Sequence, residues 1–215
     1  MKNCIILFDL DGTLIDSTEA VYESFCVAFK HFQNKTPDFE AVKSQIGHTL
    51  DEMLKILGVK EDEIPQYINI YKEHYRQICN AKTTLLPKAK EAILEAYSFA
   101  NLGVVTTKTG QYSKMLLDNM GVGNYFTCII GRENVINPKP DAEPILKALE
   151  FFSPVPKNQI YMLGDTPLDI QAADSAGIQS IAVTTGYASL ESLKKFTAHI
   201  QQNALEAVLS IKSGL

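Results

Sequence analysis

The sequence predicts an α/β protein: a doubly wound parallel-sheet core, interrupted just after its first strand by an all-helical insert. Three observations lead there. The apolar run Cys4-Ile5-Ile6-Leu7-Phe8 stops abruptly at Asp9, and a second acid follows at Asp11. Between residues 16 and 84 apolar side chains recur at helical spacing with no strand pattern. From residue 88 to 184 helical and strand patterns alternate. That order builds right-handed βαβ units and a parallel sheet with helices on both faces.

The opening run is apolar at every position and partly β-branched, as in a strand buried on both faces. Its C-terminal end is where open α/β sheets bind ligands. Asp-Gly also marks turns, but a turn does not account for two acids one residue apart. Unpaired buried carboxylates are costly. Val21, Phe25, Ala28, Phe29 and Phe32 mark a first helix behind a Ser17-Thr18 capping signal. Residues 51–57 predict a short second helix, and Ile64, Ile68, Tyr71, Tyr75 and Ile78 a third. Helices are then predicted at 88–99, 111–120, 142–151 and 168–176, with strands at 102–106, 126–130, 159–163 and 180–184. Two more helices are predicted near 190–196 and 204–211.

Composition excludes several classes. The chain has 215 residues, 46% hydrophobic and 21% charged, enough to bury a sizeable core. A net charge of -5 argues against nucleic acid or an anionic membrane as the main partner. The N-terminal run is too short for a signal peptide or a membrane span. Cys4, Cys26, Cys79 and Cys128 are scattered. That spacing argues against zinc or a disulfide framework and points to a reducing cytoplasm. No repeat, low-complexity tract or long linker is present.

Four loops, each after a predicted core strand, carry the chemistry. The first is Asp9-Leu10-Asp11-Gly12-Thr13. The second, Thr106-Thr107-Lys108, offers a hydroxyl that can donate to a phosphoryl oxygen. The third, Asn137-Pro138-Lys139-Pro140-Asp141, holds an ammonium on stiffened backbone, suited to a phosphate dianion. In the fourth, Gly164-Asp165-Thr166-Pro167-Leu168-Asp169, two acids bracket a strand-to-helix turn. Hard cations such as Mg²⁺ find oxygen ligands at such turns. Helix capping explains one of these acids but not both.

These loops resemble motifs I to IV of the haloacid dehalogenase (HAD) superfamily, in the same order. The stretch from Asp165 through Ala172-Ala173-Asp174-Ser175-Ala176-Gly177 is close to phosphoglycolate-phosphatase-like members. Two departures are visible: Thr107 stands where many relatives have Asn, and Ala142 replaces a second proline, with Pro144 coming later. The resemblance implies a Rossmann-like core over residues 1–15 and 84–215, with a helical cap domain of the C1 type over 16–83. It implies that Asp9 attacks phosphorus and forms an aspartyl-phosphate. Asp11 would protonate the leaving alcohol and then take a proton from water. Mg²⁺ would bind the Asp9 carboxylate, the Asp11 main-chain carbonyl and Asp165, with Asp169 acting behind those ligands or through water. Thr106 and Lys139 would hold the phosphoryl oxygens, helped by backbone N–H groups near Gly12 and Thr107. Lys139 is expected in a loop at the mouth of the sheet, where its removal spares the fold.

Ile46-Gly47-His48-Thr49 lies between two predicted insert helices and resembles the specificity loop of C1 caps. His48 is the candidate substrate contact there; an exposed loop histidine is the plain alternative. The expected partner is a small phosphorylated metabolite, handled as a monomer or homodimer. A phosphomutase of the β-phosphoglucomutase type, or a pyrophosphatase on the same scaffold, remains the alternative. Gly164-Asp165-Thr166 lacks the Glu-Asp pair of the mutases, and Asp11 argues against a 2-haloacid dehalogenase.

Overall fold

A computed structural model describes residues 2–214. Strand β1 (Cys4–Phe8) is buried along its whole length. A two-residue strand β2 (Ile15–Asp16) follows, then helices α1 (Thr18–Gln33), α2 (Phe39–Lys43), α3 (Leu50–Ile56) and α4 (Ile64–Ile78). Strand β3 (Thr84–Leu85) pairs antiparallel with β2, Ile15 against Leu85 and Asp16 against Thr84. The four helices therefore hang from a two-stranded stem.

Alternation then begins with α5 (Ala89–Phe99), β4 (Ala100–Val105), α6 (Gly110–Asn119), β5 (Phe126–Ile130) and α7 (Glu143–Leu149). It continues through β6 (Ile160–Gly164), α8 (Pro167–Ala176), β7 (Gln179–Val183), α9 (Leu190–Leu193), β8 (Ile200–Gln201) and α10 (Ala204–Gly214). The main sheet has six parallel strands in the order β5-β4-β1-β6-β7-β8. The chain builds outward from β1 on one side, then crosses to β6 on the other. The crevice between the C-terminal ends of β1 and β6 is thus the topological switch point.

The β1 side chains divide between two layers. Ile6 and Phe8 pack with Ile93, Leu116 and Val208 of α5, α6 and α10. Ile5 and Leu7 pack with Ile145, Ala172 and Ala173 of α7 and α8. That is why the run is apolar at every position. The insert is held by rings facing each other across α1 and α4. Phe25 meets Tyr71 at 5.0 Å between centroids, and Phe29 meets Tyr67 at 5.3 Å, both edge to face.

The structure adds what periodicity did not show. Helix α2 is a short turn capped by Asp38, whose carboxylate accepts from the Ala41 N–H at 2.9 Å. Strands β2, β3 and β8 are two residues each, too short to carry a pattern. Helix α9 stops at Leu193 rather than running to 196. Among the described residues, no helix is long and apolar enough to cross a membrane.

Candidate active site

Strand β1 carries Asp9 into the switch-point crevice. The Asp9 N–H donates to the Leu163 carbonyl at 2.8 Å, one step beyond the strand. Its carboxylate is buried, and Oδ1 accepts from Lys139 Nζ at 2.6 Å. Lys139 arrives from the loop between β5 and α7. It also donates to Asp169 Oδ1 at 2.5 Å and to the Val105 carbonyl at 3.1 Å. Those three acceptors use all three N–H groups of the ammonium. Burial alone would lower the Lys139 pKa; the Asp169 and Asp9 charges outweigh burial and raise it. The loop position matches the sequence reading, but the side chain is only 4% exposed. That burial departs from the sequence reading: removing Lys139 would leave two buried carboxylates without their shared cation, at a cost in stability.

Asp165 directly follows β6 and is fully buried. Its Oδ1 accepts from Thr13 Oγ1 at 3.0 Å and its Oδ2 from the Tyr187 N–H at 2.9 Å. Two glycines make room for it. A Cβ on Gly12 would lie 2.5 Å from Asp165 Oδ2, and one on Gly186 1.9 Å from the same atom. Gly12 also needs its φ of +82°, open mainly to glycine. Its N–H donates to the Ile15 carbonyl at 2.8 Å, so Gly12 supplies space and a turn rather than a free donor.

Asp169 stands in the first turn of α8. Its Oδ2 accepts from the Thr166 N–H at 3.0 Å and from Thr166 Oγ1 at 2.7 Å. With Oδ1 on Lys139, both oxygens are engaged: Asp169 closes a capping box and anchors the lysine. Asp9, Asp165 and Asp169 each offer an oxygen within 4.8 Å of the other two. One ammonium does not balance three carboxylates. Burial, opposed by Lys139 and reinforced by Asp169, pushes Asp9 up to about 7. Burial and then the Asp9 and Asp169 charges push Asp165 well above the usual carboxylate range. An oxygen-only donor set with excess negative charge fits a hard divalent cation.

The Asp11 carboxylate stands outside that cluster. Its Oδ1 accepts from Ser17 Oγ and lies 3.3 Å from Lys108 Nζ. Ser17 therefore does not cap α1 with its side chain, as the sequence suggested. Lys108 donates to the Tyr75 hydroxyl of α4 at 3.0 Å. Thr106 is buried at the end of β4, and its Oγ1 accepts from the Lys108 N–H at 3.1 Å. Thr107 Oγ1 donates to the Gly47 carbonyl at 2.9 Å, tying the 46–49 loop to the core. His48 lies on the wall of a cavity of about 260 Å³ that Asp11 and Lys108 also line. Its Nδ1 is 3.4 Å from Glu52.

Sequence reasoning missed Lys108, Ser17, Thr13, Gly186 and Tyr187. Lys108 follows the second motif directly, so its place was visible. A loop lysine, however, reads as solvated until burial is known. Tyr187 acts through its backbone N–H, which no residue pattern reveals.

The fold and the acid cluster at the switch point define an α/β enzyme site built to hold a hard cation beside a buried carboxylate. The family profile described as haloacid dehalogenase-like hydrolase matches residues 6–183, and the chain belongs to that family. It is 33% identical to the pyrophosphatase PpaX of Bacillus mycoides over 90% of this chain and 91% of that protein. It is 31% identical to a phosphoglycolate phosphatase of Aquifex aeolicus over 87% and 88% of the two chains. A haloacid dehalogenase-like family hydrolase from Streptococcus pneumoniae superposes with a TM-score of 0.86 at 27% identity, covering 96% of this chain and 97% of that one. The chain is thus an enzyme, a hydrolase whose relatives are named for phosphatase activities.

Proposed function

We propose that the protein is a divalent-metal-dependent phosphatase that hydrolyses a small phosphate monoester through an aspartyl-phosphate on Asp9. The observation that carries this reading is Asp9 itself. It sits at the switch point, its Oδ1 fixed by Lys139 and its neighbours Asp165 and Asp169 within 4.8 Å.

Asp9 attacks phosphorus in line; the new P–O bond forms as the ester P–O bond breaks. Asp11 gives a proton to the departing alkoxide. The Asp11 carboxylate then takes a proton from water, which attacks phosphorus and releases inorganic phosphate and Asp9. Ser17 and Lys108 orient the Asp11 carboxylate for both transfers. Lys139 swings its charge from Asp9 onto the phosphoryl oxygens, and the Thr106 hydroxyl donates to one of them. Mg²⁺ held by the Asp9 and Asp165 carboxylates and the Asp11 main-chain carbonyl would supply positive charge beside the phosphoryl group. Asp169 would act behind those ligands, through its hold on Lys139 or through water.

Residues 16–83 serve as a cap domain that closes over the site and excludes water, with the β2–β3 stem as the pivot. The free, scattered cysteines fit a reducing cytoplasm. The test is release of free phosphate from a panel of phosphate esters with Mg²⁺ and with chelator. Glucose 1-phosphate belongs in the panel. Glucose 6-phosphate formed faster than free phosphate would replace this reading with a mutase. Full activity after metal stripping would remove the metal from it.

A further inference from the structure

We propose that the substrate's alcohol carries an apolar, ring-sized body, and that the cavity between insert and core selects it over glycolate or a second phosphate. This deepens the phosphatase reading above and rests on it. The cavity beside Asp11 holds about 260 Å³, against about 30 Å³ for one water in bulk. Glycolate or a phosphate fills only a fraction of that space.

The wall is mostly hydrocarbon. Val21 of α1, Ile46 of the loop, Leu50 and Met53 of α3 and Ile68 of α4 form its aliphatic side. Tyr71, Tyr75 and Tyr112 add aromatic surface. Water against such a wall has few partners, and an apolar body that displaces it gains affinity. A second anion would meet the opposite. The ammonium groups of Lys108, largely shielded, and Lys139, buried, are already paired, Lys108 with Asp11 and Lys139 with Asp9 and Asp169. An anion drawn to either must break a pair or remain desolvated without a partner. Among the described residues, Lys72 and Arg132 are the lining cations with no carboxylate in ion-pair range. Both are only half-buried, and Arg132 Nη1 already donates to the Val135 carbonyl at 3.0 Å.

The experiment compares kcat/KM of the full chain, with Mg²⁺, for benzyl phosphate, 2-phosphoglycolate and pyrophosphate. Benzyl phosphate is the ester of an unactivated alcohol. Acetyl phosphate, with a small leaving group, reports on the phosphatase reading alone. Benzyl phosphate should lead 2-phosphoglycolate and pyrophosphate by about tenfold or more, the usual worth of filling an apolar pocket. Ile68→Asp and Leu50→Asp, both at partly exposed positions, should each lower the benzyl-to-acetyl ratio by about tenfold. Acetyl phosphate cleaved while 2-phosphoglycolate or pyrophosphate outruns benzyl phosphate would overturn this inference alone and assign selection to Lys72 and Arg132. A ratio unchanged in whichever variants fold would also overturn it. No cleavage of any of the four compounds would overturn the phosphatase reading and this inference with it.

Discussion

Asp165→Asn should stabilise the metal-free protein while abolishing its response to Mg²⁺. The Asp165 carboxylate is fully buried, with carboxylate oxygens of Asp9 and Asp169 within 4.8 Å. At an effective dielectric near 20, each like-charge contact at that distance costs about 3 kcal/mol. The Lys139 ammonium, bonded to both neighbours, offsets roughly one of the two. Asparagine removes the charge but keeps the shape. Its amide cannot accept from both Thr13 and Tyr187, so one charge-assisted hydrogen bond worth about 2 kcal/mol is lost. Relief from burying a charge adds several kcal/mol. The net is a gain on the order of 3 kcal/mol, or roughly 10 °C in Tm for a chain of this size.

The pH dependence has a definite sign. Asp165 has a folded-state pKa above its unfolded value, so the folded state holds that proton more tightly. Wild-type stability is then greatest below the ordinary carboxylate range and falls as pH rises through the raised value. Asparagine has no such loss. The variant should gain little near about pH 5 and most near about pH 8. Thermal melts in chelator at the two pH values, then with Mg²⁺, provide the check. At about a hundredfold excess over Kd, Mg²⁺ should stabilise the wild type by about 2.7 kcal/mol and leave the variant unmoved. A variant less stable than wild type in chelator near about pH 8 would refute the reasoning, because the three carboxylates would not then be repelling one another.

The parts of the fold legible in the sequence are those with long, unbroken periodicity. β1 announced itself because both its faces are buried, and α1 because Val21, Phe25, Ala28 and Phe29 recur on one buried face. The β2–β3 stem did not, since two residues cannot show alternation. Within the site, Asp9, Asp11 and Asp165 were legible because acids at the end of an apolar strand have no packing role. The finer arrangement depends on distance in sequence. Ser17 reaches back to Asp11, and Lys108 meets Asp11 and Tyr75 only after the insert has folded onto the core. Capping and metal-site readings of Asp169 looked like alternatives in one dimension. In three dimensions one oxygen caps α8 and the other holds Lys139.

Asp9→Asn should lower turnover by several orders of magnitude, since an amide cannot form the covalent intermediate; residual activity within about tenfold of wild type in a phosphate-release assay would reassign the nucleophile. Lys139→Ala should lower the Tm in chelator by about 10 °C, the equivalent of the 3–5 kcal/mol cost of breaking a buried pair, and an unchanged melt would show that water replaces the ammonium without loss. Gly186→Ala tests a residue that carries no chemistry of its own. Its new Cβ would lie 1.9 Å from Asp165 Oδ2 and 2.2 Å from Asp165 Cγ, so the carboxylate must move away from Thr13 and the Tyr187 N–H. A shifted Asp165 can no longer point at the same place as Asp9. Mg²⁺ affinity, read by calorimetry, should fall about tenfold or more, as it does when a ligand's supporting contacts are lost. Wild-type affinity in a folded Gly186→Ala protein would mean that Asp165 is free to move without cost to the metal, and that the glycine clasp does not position it.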